Sequence, residues 1–314
     1  MKNSTLPNDL SLEIIKEKHK QVETLLSQHQ IDCWLIFARE TEIMLDPIMP
    51  YISGGDVVWD SAFIFSLSGN KFKKLAIVGN FDVDAEKEKG IWDDVVGYTQ
   101  GIGNILKNYI TDLNPNKIAL NYSKSDVSAD GLSHGLFLKV EHILSDFSDK
   151  FVSAEGLISE LRGVKSNTEK KLIKEACELT ESINRDITTI LKSDMSEIEI
   201  QNIYHKKMDA LGVKESWQRK SCPAVDAGPD KNFGHVGPTQ IKTKIGHTLH
   251  NDFGIKLKSY SSDLQRMWFF GKPEEVPQEL RHAFDAVKAA IRMSASKIRP
   301  DFKGHEIDKI ARDY

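Results

Sequence analysis

The chain has 314 residues, with 42 Lys and Arg against 46 Asp and Glu and a formal net charge of −4. That length exceeds a common single domain, so two domains are expected, and a small net charge without a Lys/Arg block argues against nucleic acid as a partner. No apolar run approaches the roughly 20 residues that cross a bilayer, which argues against a membrane partner.

In chain order, Leu10, Ile14, Ile15, Val22, Leu25 and Leu26 recur at helical spacing and predict a helix over 9–29. The apolar runs at 33–37, 62–67 and 75–78 predict buried strands, with Gly69-Asn70 as the turn between the last two. A helix over 102–110 and a strand over 117–121 follow. Strands alternating with helices over about 150 residues indicate an α/β domain. Gly101-Ile102-Gly103 lacks the third glycine and the preceding strand of a dinucleotide fingerprint.

A boundary is expected between Glu155 and Ser166, dividing the chain into 1–157 and 158–314. Ser166 with Glu169 and Ser196 with Glu199 are two capping boxes. The first opens a helix burying Leu172, Ile173, Ala176, Ile183, Ile187 and Ile190. The second opens a helix with Ile203, Tyr204, Met208 and Leu211, which Gly212 ends. A β-rich stretch follows. Beyond it comes a helix between Pro277 and Ile298, then another near Ile307 and Ile310. Cys33, Cys177 and Cys222 are few and far apart, which fits a reducing compartment better than a disulfide framework. Residues 1–10 lack the apolar core of a secretory signal, so a cytoplasmic location is expected.

The stretch 247–270, HTLHNDFGIKLKSYSSDLQRMWFF, reads as a β-hairpin. Folded symmetrically about Leu257 and Lys258, it sets Asp252 directly opposite Asp263, with Cβ atoms roughly 5 Å apart. Two buried carboxylates that close repel each other unless a cation lies between them. Spacing alone leaves open that both are ordinary exposed hairpin acids. His250 shares the strand face of Asp252 and reads as a packed strand histidine, His205 as a surface residue, and Trp217 as core. Tyr260 and Arg266 read as packing and ion-pairing support.

Asp252-Phe253-Gly254 followed by Tyr260-Ser261-Ser262-Asp263-Leu264-Gln265-Arg266 resembles the D-x-G … Y-x-x-D-[hydrophobic]-[Thr/Ser]-Arg segment of the pita-bread metallopeptidases. These include X-Pro aminopeptidases, prolidases and methionine aminopeptidases, with creatinase as a relative. Asn232 to Thr239 is similar to the family segment that carries a substrate-side histidine, here His235. Leu161 to Ser166 resembles the lead-in to the family's first helix. Gln265 departs from the usual Thr or Ser.

The resemblance implies a creatinase-like α/β N-terminal domain followed by an α+β pita-bread domain. It implies a metal-dependent exopeptidase acting on X-Pro peptides, of the aminopeptidase P or prolidase type. Two divalent ions, Mn²⁺ first and Co²⁺ or Zn²⁺ next, would share a hydroxide that attacks the scissile carbonyl. Asp252 would hold one ion, Asp263 would bridge both, and His235 would donate to the substrate or the tetrahedral oxyanion. The family's remaining ligands, one His and two Glu, come later in chain order. The pita-bread domain is therefore expected to be incomplete at its C-terminal end, and the 314-residue chain inactive and metal-poor. The resemblance also admits a homodimer. Alternative readings are a metal-free creatinase-like hydrolase and a non-catalytic peptide- or protein-binding module.

Overall fold

The computed structural model describes residues 11–229 and 236–314. Two compact units emerge, one of Met1–Glu175 with Leu257–Tyr260, the other of Ala176–Lys256 with Ser261–Tyr314.

The first unit comprises α1 (Leu12–His29), β1 (Cys33–Ala38), α2 (Met49–Ile52), β2 (Ser61–Ser68), β3 (Lys71–Gly79), α3 (Val83–Glu88), β4 (Asp94–Tyr98), α4 (Gly103–Leu113), β5 (Ile118–Leu120), α5 (His134–Ile143), β6 (Phe151–Ser153), α6 (Glu155–Gly163) and the first turns of α7 (Asn167–Thr188). Its six strands form one mixed sheet in the order β4-β3-β2-β1-β5-β6. The central strands are apolar at nearly every position because helices cover both faces of the sheet. Trp34, Ile36, Phe63 and Phe65 face the core built with Leu26 of α1 and Ile158 of α6. Leu35, Phe37, Ala62 and Ile64 face the opposite core with Leu106 of α4 and Val140 of α5.

The anticipated helices and strands of this half are present. α1 starts after Ser11, whose side chain caps Ile14 N. The strand predicted at 75–78 extends back to Lys71 and is the longest in the sheet. The Ser166–Glu169 capping box forms in both directions, at 2.6 Å and 3.2 Å.

The second unit holds the rest of α7, then α8 (Glu197–Leu211), β7 (Lys214–Glu215), β8 (Ala224–Ala227), β9 (Thr248–Phe253), β10 (Ile255–Leu257), β11 (Tyr260–Ser261), β12 (Leu264–Phe269), α9 (Gln278–Lys297) and α10 (Gly304–Asp313). Leu257 and Tyr260, the ends of the β10–β11 turn, count with the first unit. The Ser196–Glu199 box caps α8, and Gly212 ends it in the left-handed conformation with φ of 66°. α7 stops at Thr188, so Ile190 lies beyond it and is exposed rather than buried.

β12, β9 and β8 form an antiparallel sheet in that order. On β9, Leu249, Asn251 and Phe253 are buried while Thr248, His250 and Asp252 remain partly accessible. Phe253 packs on Tyr204 of α8 with ring centroids 4.6 Å apart. Burying a ring of that size stabilises by about 1.5–3 kcal/mol and fixes which face of β9 turns inward. Phe284, Val287 and Ile291 of α9 are exposed.

Candidate active site

Alternation along three strands gathers the polar groups on one face. Asp252 pairs with Gln265 on β12 and Ala224 on β8, and His250 with Met267 and Asp226. Side chains opposite one another in a ladder share a face. Asp226, His250, Asp252 and Gln265 therefore point to the same side.

The turn sets the register. Lys258 and Ser259 both have positive φ, 46° and 71°. A two-residue type I′ hairpin requires that geometry, which matches the twist of the flanking strands. The hairpin therefore pivots between Lys258 and Ser259, one residue later than the symmetric fold about Leu257 and Lys258. Asp263 is not directly opposite Asp252; it precedes Asp252's partner Gln265 by two residues and sits diagonal to it. The two carboxyl groups nonetheless meet closely enough to share a proton.

Gly254, between β9 and β10, has a steric role. A Cβ there would lie 1.9 Å from the Ser262 carbonyl oxygen. Ser262 is buried, its Oγ 2.6 Å from Thr180 Oγ1 and 3.0 Å from Ile255 N, which donates to it. The Asp-x-Gly pattern thus lets the strand carrying Asp263 close onto the one carrying Asp252.

Burial pushes the Asp252 carboxyl up to about 6, and the adjacent Asp263 carboxyl adds to the shift. Asp252 Oδ1 is buried and receives no hydrogen bond among the described residues. A buried acceptor facing a second carboxylate calls for a proton or a cation. Two oxygen donors of this kind suit a hard or borderline divalent ion. Among the described residues, no group of three or more His, Cys, Asp or Glu side chains is arranged to hold a metal.

His250 Nδ1 donates to Asp226 Oδ2 at 3.0 Å, and Nε2 lies 3.1 Å from Gln265 Oε1. The packed strand histidine is thus part of a polar chain beside Asp252. Asp226 was missed because nothing in its local sequence marks it, and only the β8–β9 register brings it to His250. His205 is half-buried, not a plain surface residue, and its Nε2 lies 2.8 Å from the Cys222 carbonyl. Trp217 is also half-buried and donates from Nε1 to the Ser221 carbonyl. Arg266 pairs with Glu181, and Tyr260 donates to Glu169 at 2.8 Å.

His235 lies outside the described residues. The chain on either side of 230–235 is fixed by one buried carboxylate. Glu197 Oε1 accepts from Ala227 N at 2.9 Å, and Oε2 from Thr239 N at 2.7 Å and Thr239 Oγ1 at 2.8 Å.

A helix-covered mixed sheet, followed by a unit whose antiparallel sheet bears two converging carboxylates, defines a two-part protein whose second unit carries an acidic centre. Residues 171–314 match the sequence model of metallopeptidase family M24. That segment is 144 of the chain's 314 residues, and through it the chain is similar to that family. An uncharacterized peptidase of Bacillus subtilis is 25% identical over 185 residues, which is 59% of this chain and 50% of that protein. A putative Xaa-Pro aminopeptidase of Mycoplasma genitalium is 24% identical over 202 residues, 62% of this chain and 55% of the relative. The chain spans about half the length of the curated relatives it matches.

Among solved structures, the Xaa-Pro dipeptidase from Bacillus anthracis superposes with a TM-score of 0.70 at 20% identity, covering 96% of this chain and 77% of its own. A putative aminopeptidase P from the same organism gives 0.72 at 16% identity, covering 97% and 75%. The fold is therefore that of the prolidase and aminopeptidase P structures. Among the described residues, no helix is long and apolar enough to cross a membrane.

Proposed function

We propose that this chain carries part of the centre of a metal-dependent exopeptidase acting on X-Pro peptides, of the aminopeptidase P or prolidase type. The observation that carries the reading is the meeting of the Asp252 and Asp263 carboxyls on one sheet face, with a buried Asp252 oxygen that has no donor among the described residues. The named activities of the similar proteins point to the same substrate class.

Asp252 and Asp263 would hold the divalent ions, Mn²⁺ first by their oxygen-only chemistry. When bound, the ions supply Lewis-acid polarisation of the scissile carbonyl. The protein's own residues perform the remaining tasks. Glu197 holds both flanks of the segment bearing His235, which is assigned a hydrogen bond to the substrate or to the developing oxyanion. Gln265 and the His250–Asp226 pair border Asp252 on the accessible face, where they meet the substrate or its water.

Among the described residues the two carboxylates have no ready third ligand, and such a pair holds transition metals loosely, so the 314-residue chain is expected to bind Mn²⁺ weakly and turn over X-Pro peptides slowly. Calorimetric titration with Mn²⁺, run beside cleavage of an X-Pro dipeptide and an X-Pro tripeptide, tests the reading. Asp252→Asn and Asp263→Asn are each expected to abolish the Mn²⁺ signal. Mn²⁺ binding that survives both substitutions, or cleavage indifferent to a chelator, would overturn it.

A further inference from the structure

Asp263 lies in a break of the sheet. β11 ends at Ser261 and β12 begins at Leu264, so Ser262 and Asp263 belong to neither strand. No ladder of its own fixes Asp263 there, yet its carboxyl meets that of Asp252.

Ser262 supplies the hold. Its N–H donates to the Ile255 carbonyl at 2.9 Å. Its hydroxyl oxygen, in place of its carbonyl, accepts from Ile255 N at 3.0 Å. The carbonyl so released accepts from Ser216 Oγ at 2.7 Å. Every polar group of Ser262 is thereby used in holding the break closed.

Thr180 of α7 completes the set. It is fully buried, and its Oγ1 lies 2.6 Å from Ser262 Oγ. Thr180 Oγ1 donates to the Ala176 carbonyl at 2.9 Å, which leaves it an acceptor for the Ser262 hydroxyl proton. Further along α7, Glu181 pairs with Arg266, and Thr188 Oγ1 accepts from Trp268 Nε1 at 3.0 Å. Ser262, Arg266 and Trp268 thus face α7, while Asp263 and Gln265 alternate onto the side of Asp252. Ser262 is buried and Asp263, the next residue, is exposed. The chain is anchored on one side and presents its carboxylate on the other.

We propose that Thr180 is a positioning residue for Asp263: the Thr180–Ser262 hydroxyl pair fixes the interval between the Asp263 and Asp252 carboxyls and so sets the affinity for a divalent ion. The effect on metal rests on the reading of Asp252 and Asp263 as metal ligands; the hold on the backbone does not. Metal coordination tolerates displacements of only about 0.2 Å, so a ligand on a loosened backbone binds less well. Partners that orient a ligand from behind are typically worth about 10–100-fold in metal affinity. Inside the core, away from competing water, a neutral hydroxyl pair is strong enough for that task.

The test compares the 314-residue protein with Thr180→Val, Thr180→Ser and Ser262→Ala. Val keeps the shape and removes the hydroxyl, Ser keeps the hydroxyl, and Ser262→Ala breaks the same pair from the strand side. Mn²⁺ binding is read from the free-ion signal in electron paramagnetic resonance, local opening from hydrogen–deuterium exchange, and folding from urea unfolding. Thr180→Val and Ser262→Ala are each expected to weaken Mn²⁺ binding by about 10-fold or more. Both should speed exchange in peptides covering residues 253–265, while peptides of β1 and β2 keep the parental rate. Thr180→Ser should stay within about 3-fold of the parent in both measurements. A merely structural role would lower urea stability and leave Mn²⁺ affinity and local exchange unchanged in the folded variants; that result overturns the proposal, as does Thr180→Ser failing as badly as Thr180→Val. A parent without Mn²⁺ binding that Asp252→Asn removes would sink the metal reading instead, and the exchange rates alone would then decide whether Thr180 holds Asp263.

Discussion

Asp252 stands opposite Gln265 in the β9–β12 ladder, while the carboxyl that touches it belongs to Asp263, two residues before that partner. The offset keeps the two acids on one face without a direct cross-strand pairing. It also makes their charge a measurable burden in metal-free protein. Asp252 is raised from 3.8 to about 6, first by burial and then by Asp263. A carboxyl raised on folding contributes stability that is present below its unfolded value and lost as pH rises through the folded one. Chelated protein is therefore expected to lose melting temperature between about pH 4 and pH 6 from this group. Asp252→Asn should flatten that slope and melt higher than the parent at pH 8. Mn²⁺ should restore the parent but not the variant. A flat parent profile in chelator would contradict the close carboxyl contact.

The register error and its small consequence show what was legible in the sequence. The run from His247 to Phe270 announced a hairpin and both aspartates, but not the pivot, because Lys258-Ser259 is not a recognised type I′ pair. Moving the pivot by one residue shifts each partner by two, so every side chain keeps its face. Both capping boxes and the apolar strands were legible because their signals are local. Asp226, the half-buried setting of His205 and the Glu197 clamp were not, since each depends on partners distant in sequence.

The pivot itself can be improved. Lys258 and Ser259 adopt positive φ, which costs a residue with a Cβ about 1 kcal/mol. Lys258→Asn with Ser259→Gly supplies the preferred pair. Thermal melting is expected to rise by a few degrees, with the circular dichroism spectrum unchanged. A fall would mean that Lys258 or Ser259 side-chain contacts outweigh the backbone term.

Gly254 is expected to tolerate no side chain. The Ser262 carbonyl leaves 1.9 Å for a Cβ, and a backbone atom cannot swing aside as a flexible side chain would. Gly254→Ala should destabilise by about 2–4 kcal/mol, near the upper end for overpacking. Urea unfolding measures this, and a loss below about 0.5 kcal/mol would show that the two strands can part cheaply.

In the first unit, Lys18 is fully buried against Glu169 at 2.7 Å. Its Nζ also donates to the Leu161 and Val164 carbonyls at 2.7 Å and 3.1 Å. Burial holds the Lys18 ammonium below its ordinary value, against the pull of Glu169. Glu169 in turn accepts from Tyr260 and from Ser166 N. Such a pair adds little net stability, yet breaking it strands the remaining charge. Lys18→Met is therefore expected to cost about 3–5 kcal/mol by urea unfolding. Lys18→Met combined with Glu169→Gln should recover part of the loss, because the stranded carboxylate is gone and the amide can still accept from Tyr260. A double variant less stable than the single one would assign the cost to the lost Leu161 and Val164 contacts rather than to the buried charge.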